Sequence, residues 1–348
     1  MIKPTMPISA AIIGKAYKRF DIQRIEIDTP HDDELLVRIE ACGICQTDID
    51  FARHVKPPSI FGHEGAGVVE RVGPAVNGIK PGDHVLLSYA SCGTCGACVG
   101  QAPYACDSFW ELNFGFTRYD GSSAYEHTGV RGHFFGQSSF ATRTLVTAEN
   151  VVKIEQHLPL DLLAPLGCGL QTGAGTIAHV FALSPGASIV IFGVGAVGLG
   201  ALMAARTLGA STIVAVDILP QRLTLAQTLG ATHVFNAEEE ADLAQALNAC
   251  TNGGFDYAVD TSNTSTAAET IRHIIGPYGR CAFLASHDII QGNSIPQRFI
   301  PQMIKWYEQG TFPLERLITF YDFSEIEQAF ADVRARRIVK AVLKMPRH

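Results

Sequence analysis

The sequence predicts an α/β protein in which a mostly-β domain is joined to a doubly wound parallel sheet. The chain has 348 residues, more than one ordinary core can hold, so about two domains are expected. Short runs broken by Gly and Pro turns fill the first half, whereas strand-like and helix-like runs alternate from about residue 170. This change of pattern separates the two expected folds.

Short strands that end at turn signals predict the first domain. The run LLVRIEA (35–41) alternates as a half-buried strand does, and GAGVVERVG (65–73) and DHVLLSYA (83–90) follow it. The turn signal Pro81-Gly82-Asp83 precedes the third run. A barrel-like β domain with long functional loops is therefore expected.

Alternation of strands and helices predicts the second domain. Pro220 suits the first turn of a helix and Gly230 its end, with Leu223, Ala226 and Leu229 on one face. Such alternation is typical of a parallel sheet with helices on both faces. The predicted strands are 188–193, 212–217, 233–236, 255–261 and 280–286.

The C-terminal run IVKAVLKM (338–345) predicts a strand that rejoins the first domain, so that the α/β unit is an insertion. The expected domains are 1–169 for the β domain, 170–291 for the α/β domain, and 292–348 for the return to the first.

Composition excludes several classes of function. With a formal charge of −7, 47% hydrophobic and 18% charged residues, the chain has no basic surface for nucleic acid or an anionic membrane. The amino terminus is a poor signal peptide, and the apolar stretch 186–205 is rich in glycine, which favours a buried strand and helix over a membrane span. A cytoplasmic protein is expected.

Nine cysteines without an export signal indicate metal or catalytic use in a reducing compartment. Cys42, Cys250 and Cys281 have apolar neighbours and are expected to be small core residues. Four others form the pattern C-x2-C-x2-C-x7-C, which suits a closed tetrahedral structural Zn²⁺ site. Two disulfides or an iron–sulfur cluster are the alternatives. These four are Cys92, Cys95, Cys98 and Cys106.

A glycine-rich turn follows the strand 188–193 and opens a helix. Gly193, Gly195 and Gly198 form G-x-G-x-x-G, and Asp217 closes the next strand 24 residues after Gly193. Glycine there lets backbone N–H groups reach a pyrophosphate, while the aspartate accepts hydrogen bonds from ribose hydroxyls and repels a 2′-phosphate. The pattern favours NAD over NADP, with Arg222 covering the ribose or facing solvent. A helix–sheet packing site is the alternative.

Three further candidate ligands are far apart in sequence: Cys45 in GICQTD, His63 in GHEG and Cys168 in PLGCGLQTG. Two thiolates and one imidazole leave the fourth position of Zn²⁺ open, which is the catalytic arrangement. Each residue alone is more often part of a core.

The motifs together identify a family resemblance. The chain resembles the zinc-dependent medium-chain alcohol dehydrogenases, and within them the aryl- or benzyl-alcohol branch. The resemblance implies a GroES-like catalytic domain with a structural zinc lobe, a Rossmann domain that binds NAD, and two Zn²⁺ per chain. It implies that Cys45, His63 and Cys168 bind the catalytic zinc, with Glu64 as a transient ligand and Asp48 orienting the histidine. The stretches that carry it are GICQTD, FGHEGAGVVERVG, PGDHVLLSYASCGTCGAC, HFFGQSSFAT, APLGCGLQTGAG and FGVGAVGL.

The resemblance also implies an activity. A primary aryl, allylic or terpenoid alcohol loses a proton through Thr47 and a hydride to the nicotinamide, giving an aldehyde reversibly. Thr172 and Val197 match positions that pack against the nicotinamide, and Lys340 matches one near the phosphates. Phe140 matches a position in the substrate pocket, expected between the two domains.

Two departures from the family pattern leave alternatives open. Many relatives have a histidine where this chain has Asp50, so either this carboxylate completes the proton relay or the ribose passes protons directly to water. About twenty residues are missing near 285–297, where the family completes the nucleotide sheet, forms the dimer edge and supports the carboxamide. Ile289 and Ile290 are expected to form a remnant of that strand. The implied homodimer or homotetramer is therefore open, and the alternative function is a zinc- and nucleotide-binding protein with impaired turnover.

Overall fold

A computed structural model describes residues 5–14, 19–284 and 289–346. The chain divides into two compact units. Unit 1 comprises Met1–Cys168, Ile295–Pro301 and Leu314–His348, and unit 2 comprises Gly169–Ser294 and Gln302–Pro313.

The strands in the described residues are numbered in chain order: β1 Thr5–Ile13, β2 Phe20–Asp28, β3 Glu34–Gly43, β4 Ser59–Ile60, β5 Glu64–Val72, β6 His84–Leu87, β7 Arg143–Thr147, β8 Val151–Ile154, β9 Ser188–Phe192, β10 Thr212–Asp217, β11 His233–Asn236, β12 Phe255–Asp260, β13 Ile275–Phe283, β14 Ile318–Asp322 and β15 Lys340–Lys344. The α-helices are α1 Gln46–Phe51, α2 Gly96–Val99, α3 Phe109–Phe114, α4 Leu160–Leu163, α5 Gly169–Gly175, α6 Ala196–Thr207, α7 Pro220–Leu229, α8 Leu243–Asn248, α9 Ser265–Ile274, α10 Pro296–Glu308 and α11 Ile326–Arg334.

Unit 1 is built on two sheets. The larger has the order β14-β15-β3-β5-β6-β8, with β7 also paired to β3, and the smaller has the order β2-β1-β4. The central strand β3 is buried along most of its length, which suits its apolar sequence ELLVRIEACG. The C-terminal strand β15 pairs antiparallel with β3, placing Val342 opposite Gly43. The predicted mostly-β fold of the first part of the chain is confirmed.

Unit 2 holds a five-stranded parallel sheet in the order β11-β10-β9-β12-β13. The order reverses between β9 and β12, which is where doubly wound sheets bind ligands. Helix α7 begins at Pro220 and ends before Gly230, whose φ of 119° only glycine adopts readily, as predicted. Its Leu223, Ala226 and Leu229 are buried, so the predicted apolar face of this helix is confirmed. The predicted doubly wound fold of the second domain is confirmed as well.

Among the described strands β13 is the last of the unit 2 sheet, and two expectations near it are wrong. Cys281 is exposed, because successive side chains of β13 point to opposite faces and the neighbouring Ala282 takes the buried one. Ile289 and Ile290 form a bend and not a strand remnant, because the next residues, Gln291–Asn293, turn with positive φ angles that no strand can contain. Residues 285–288, also in the shortened segment, lie outside the described residues.

The apolar stretch 186–205 contains β9 and most of α6, as predicted. Among the described ranges, no helix combines the length and apolar character needed to cross a membrane.

Candidate active site

Four side chains of unit 1 converge on one buried point although the chain separates them widely. Cys45 directly precedes α1, His63 and Glu64 lie at the start of β5, and Cys168 follows a 3₁₀ turn. One ligand atom from each lies within 4.8 Å of the other three, and all four residues are buried. The pairing of β3 with β5 brings the first three together, since Gly43 lies opposite Glu64.

The donor set fits a tetrahedral zinc ion. Cys45 Sγ and Cys168 Sγ are 4.0 Å apart, close to the separation of roughly 3.8 Å that two Zn–S bonds of about 2.3 Å produce in a tetrahedron. His63 Nε2 is buried and has no hydrogen-bond partner in the described part of the chain, as expected for a nitrogen that binds an ion. Two sulfurs and one nitrogen leave a position for a fourth group.

Asp48 holds two of these ligands at once. Its Oδ1 lies 2.9 Å from His63 Nδ1 and accepts from the Gly62 N–H at 3.1 Å, while its Oδ2 accepts from the Cys45 N–H at 2.9 Å. The Cys45 side chain in turn accepts from the Asp48 backbone, a reciprocal cap on α1. Asp48 is completely buried, so this carboxylate fixes the histidine ring and the cysteine backbone together.

Electrostatics favour the metal-binding thiolate of Cys45 but also favour a proton on His63. The hydrogen bond between the two thiols is the largest influence on Cys45 and lowers its pKa well below the usual value. Burial opposes protonation of His63, but the charge and hydrogen bond of Asp48 raise its pKa to about 10. An ion at Nε2 would take the place of that proton, as metal ligation requires.

Glu64 and Lys340 form a buried ion pair beside the cluster. Lys340 Nζ donates to Glu64 Oε1 at 2.7 Å and to the Ile44 carbonyl at 3.1 Å, and the lysine side chain is only 2% exposed. Burial raises the pKa of Glu64 to about 6, and Lys340 opposes this shift. In this structure the Lys340 ammonium is buried against a carboxylate, and its contact with cofactor phosphates stays a prediction.

Thr47 and Asp50 lie on α1, next to the cluster. Thr47 Oγ1 is 3.7 Å from Cys45 Sγ, within hydrogen-bonding distance for sulfur, and the residue is half-buried. Asp50 is exposed and accepts a hydrogen bond from Gln46 Nε2 at 2.9 Å. The two residues are three apart on a helix, so they share one face.

Aromatic rings surround His63. Phe135 stacks on the imidazole with ring centroids 4.3 Å apart, and Phe134 meets its edge at 5.5 Å. Phe114 packs on Phe135 and stacks at 4.5 Å on Phe51, which the sequence offers only as a weak candidate for the substrate pocket. The sequence gives no signal for this cluster beyond the abundance of Phe in the loops.

Phe140, predicted to line the substrate pocket, lies in a buried aromatic cluster. Its ring is completely buried and packs against Phe20 at 6.0 Å and Phe330 at 5.8 Å. Gly62 leaves room for it, because a Cβ there would lie 2.6 Å from the Phe140 ring.

Gln137 is a buried residue that the sequence did not reveal as important. Its Nε2 donates to the carbonyls of His63 at 3.0 Å and Ser88 at 3.1 Å, and its Oε1 accepts from the Gly65 N–H and from the Ser139 hydroxyl. These four bonds use the full capacity of the amide. A glutamine in a loop motif shows none of this before the loop is folded.

Replacing Gln137 with methionine should destabilise the protein by more than about 3 kcal/mol. Methionine has a similar volume but forms no such hydrogen bonds, so the buried backbone groups that Gln137 binds are left unpaired. Chemical denaturation measures this. Gln156→Met is the control, since Gln156 is exposed. Equal stability of the two variants would contradict the positioning role of Gln137.

The four clustered cysteines form a second candidate metal centre. Their sulfurs all lie within 4.8 Å of one another, and Cys92 Sγ and Cys98 Sγ are 3.9 Å apart. Backbone hydrogen bonding from Thr94 lowers the pKa of Cys92 to about 6, which favours the thiolate that a metal needs. The cysteines are unbridged, so the disulfide alternative does not match this structure. The donor set is that of a closed structural zinc site.

The glycine-rich turn of unit 2 has the geometry expected for a pyrophosphate site. Gly193 has φ of 81°, and a Cβ at Gly198 would lie 2.0 Å from the Gly193 carbonyl, so both positions require glycine. Asp217 Oδ2 accepts from the Val194 N–H at 2.8 Å and thereby joins the turn to the end of β10. Arg222 Nη1 lies 3.6 Å from where a Cβ of Gly195 would be, which puts a cation over the turn.

Two further predicted cofactor residues lie on the helices beside this turn. Val197 is in the first turn of α6, and Thr172 is on α5. These helices pack closely, since a Cβ at Gly173 would lie 1.9 Å from the Val197 carbonyl.

Comparison with known families gives two matches. Residues 31–156 match the model of the alcohol dehydrogenase GroES-like domain. Residues 196–313 match the model of the zinc-binding dehydrogenase family.

Individual relatives are similar over nearly the whole chain. Geraniol dehydrogenase of Castellaniella defragrans is 38% identical over 361 aligned residues, covering 96% of each chain. The crystal structure of a zinc-binding alcohol dehydrogenase domain protein from Burkholderia ambifaria superposes with a TM-score of 0.94 at 40% identity, covering 99% of this chain and 100% of the other. Benzyl alcohol dehydrogenase of Acinetobacter calcoaceticus gives a TM-score of 0.93 at 37% identity, covering 98% and 100%.

Proposed function

Because the chain belongs to the family of zinc-dependent medium-chain alcohol dehydrogenases, we propose that it oxidises a primary aryl, allylic or terpenoid alcohol to the aldehyde, reversibly, with NAD. The observation that carries the proposal is the convergence of Cys45, His63 and Cys168 at one buried point. Three protein ligands with an open fourth position are the arrangement of a catalytic zinc.

Each residue near the cluster has a proposed role. Cys45, His63 and Cys168 would hold Zn²⁺, with Glu64 as a fourth, transient ligand. The ion would supply Lewis-acid chemistry that makes an alcohol hydroxyl more acidic, and NAD would supply the hydride acceptor. Asp48 keeps the histidine ring in place through the bond at Nδ1.

A proton leaves the substrate through Thr47, whose hydroxyl can accept one proton while donating its own. Asp50 lies on the same face of α1 and is exposed, so we assign it the transfer of that proton to water. In unit 2 the glycine turn and Arg222 bind the pyrophosphate end of the cofactor, and Asp217 binds the adenosine ribose. Thr172 and Val197 flank the nicotinamide half.

The rings around His63 support the substrate class. Phe134 and Phe135 cover the edge and face of the imidazole, and Phe114 packs against both rings. This apolar surface excludes water and favours a planar apolar alcohol over a small one. The two named relatives act on geraniol and on benzyl alcohol, both of that kind.

Activity is tested by mixing purified protein with NAD and benzyl alcohol or geraniol while recording the absorbance of NADH. We expect kcat/KM for either alcohol to exceed that for ethanol by at least about tenfold, since burying several more apolar groups contributes a few kcal/mol. Absence of NADH formation with every primary alcohol tried would overturn the proposal.

The alternative is a zinc- and nucleotide-binding protein with impaired turnover, and it is motivated by the shortened segment after β13. It predicts NADH binding and full zinc content without NADH formation. The same assay, combined with a binding measurement, separates the two functions.

Two finer proposals rest on the same residues. Six cysteines that serve as zinc thiolates require a reducing compartment, so we propose a cytoplasmic location. Family resemblance favours a homodimer or homotetramer, which sedimentation velocity measures directly.

Replacing Asp217 with asparagine should shift the ratio of NADPH to NADH affinity toward NADPH by about tenfold, because the charge that repels a 2′-phosphate is removed. The substitution also weakens the hydrogen bond from the Val194 N–H. Any loss of affinity from this cause affects both nucleotides equally and does not change the ratio. Fluorescence titration with both nucleotides measures it, and Asp242→Asn, an exposed helix cap, is the control. An unchanged ratio would show that another residue selects the coenzyme.

A further inference from the structure

One peptide group of the glycine-rich turn is held at both ends by side chains from outside the turn. Its carbonyl, which belongs to Gly193, accepts a hydrogen bond at 2.7 Å from the hydroxyl of Thr261, 68 residues later in the chain. Its N–H, which belongs to Val194, donates to Asp217 Oδ2 at 2.8 Å. Because a peptide group is planar, these two bonds together fix the orientation of the whole group.

The sheet of unit 2 brings both side chains to the turn. Strand β9 leads into Gly193, β10 ends at Asp217, and β12 ends at Asp260, directly before Thr261. In the order of the sheet, β9 lies between β10 and β12. The two side chains therefore reach the turn from the two strands that flank β9, at the carboxyl end of the sheet where doubly wound folds bind ligands.

The position of Thr261 is itself well defined. Its N–H donates to the Phe192 carbonyl at 2.8 Å, which continues the pairing of β12 with β9, and its hydroxyl lies 3.2 Å from the same carbonyl. The next residue is also held, because Asp260 Oδ1 accepts from the N–H and from the hydroxyl of Ser262, each at 2.7 Å. These bonds keep the Thr261 hydroxyl beside Gly193.

The turn needs such support because it begins with glycine. Gly193 has a φ of 81°, and glycine reaches more conformations than any other residue, so its own backbone does not hold the following peptide group in one orientation. A larger residue cannot take its place, since a Cβ there would lie 2.7 Å from Thr261 Oγ1. The Thr261 hydroxyl therefore occupies the space beside this glycine and restricts it through a hydrogen bond.

We propose that Thr261 is a positioning residue: by holding the Gly193 carbonyl, it sets the direction of the backbone N–H groups that bind the pyrophosphate of NAD. This inference rests on the proposed use of NAD. Those N–H groups belong to the rest of the turn and to the start of α6, and their directions depend on the peptide group that precedes them. A turn that is already oriented loses less conformational freedom when the cofactor binds.

The test compares ligands with and without a pyrophosphate. Isothermal titration gives Kd values for NADH and ADP-ribose, and competition with NADH gives the Kd for adenosine. The variant is Thr261→Val, which keeps the shape of the side chain and removes its hydroxyl. We expect it to weaken NADH and ADP-ribose by about five- to tenfold, the scale of one hydrogen bond, and adenosine by less than about twofold.

Two further variants serve as controls. Thr261→Ser keeps the hydroxyl, so its affinity for ADP-ribose should stay within about twofold of the wild type. Thr228→Val removes the hydroxyl of an exposed threonine that donates to the Leu225 carbonyl within α7, and it should match the wild type for all three ligands.

Three results would overturn the inference. The first is unchanged ADP-ribose binding in Thr261→Val, and the second is an equal loss of adenosine, which shows a general structural role. The third is a Thr261→Ser protein that binds ADP-ribose as weakly as Thr261→Val. If Thr261→Val does not fold, Thr261→Ala removes the same hydroxyl and is judged by the same outcomes.

Failure of the proposed cofactor is a separate result. If the wild-type protein binds neither NADH nor ADP-ribose, the proposed use of NAD is wrong and the inference is overturned with it. If the wild type binds both ligands and Thr261→Val binds them equally well, only the role of Thr261 is wrong.

Discussion

Replacing Cys45 with alanine should lower kcat/KM for the best alcohol by at least about 10³-fold, because a Lewis acid contributes several kcal/mol to the transition state. The variant lacks one of the two sulfurs, Cys45 Sγ and Cys168 Sγ, which are 4.0 Å apart. The remaining side chains are too few to hold the ion. The nucleotide residues are in unit 2, so NADH affinity should stay within about twofold. Steady-state kinetics and NADH titration measure the two effects.

The matched control for this experiment is Cys42→Ala. Cys42 is buried three residues earlier and lies outside the cluster, so its loss leaves a small cavity and no missing ligand. His63→Ala should reproduce the loss of turnover. More than about a tenth of wild-type turnover in both ligand variants would mean that the chemistry does not depend on a metal at this site.

Replacing Cys98 with serine should remove one of about two zinc ions per chain and lower the melting temperature by roughly 8–16 °C. Loss of a structural metal belongs to the mutations that cost about 4 kcal/mol or more, and each kcal/mol corresponds to about 2–4 °C in a domain of this size. Elemental analysis and calorimetry measure the two effects.

Cys281→Ser is the control for this second experiment, because Cys281 is an exposed cysteine outside both clusters. Its melting temperature should stay within about 1 °C of the wild type, as for most surface substitutions. A Cys98→Ser protein that retains both the zinc content and the melting temperature would show that the four cysteines do not hold a structural ion.

Features set by neighbouring residues could be predicted from the sequence. Pro220 and Gly230 mark the two ends of α7, and the glycine-rich turn has the backbone that its spacing requires, because both depend on local φ and ψ preferences. The spacing of Cys92 to Cys106 is similarly local. Residue type makes Cys45, His63 and Cys168 candidate ligands, but each alone is weak, and the resemblance to a family made the set specific.

Features set by distant contacts could not be predicted. Lys340 binds Glu64 across 276 residues, and Gln137 binds the His63 carbonyl across 74, so no local pattern reveals either pair. Cys281 was misjudged for a related reason: whether a side chain faces a core or solvent depends on the assembled fold.

The single carboxylate shared by Cys45 and His63 has a consequence for engineering. Anyone transplanting this centre into another scaffold would need to copy Asp48 together with both the helix start and the strand start it bridges. The position of Cys45 cannot be changed independently of that of His63, because a movement of the Asp48 carboxylate displaces both residues. Cys45 and His63 therefore form one structural unit that is held together by Asp48.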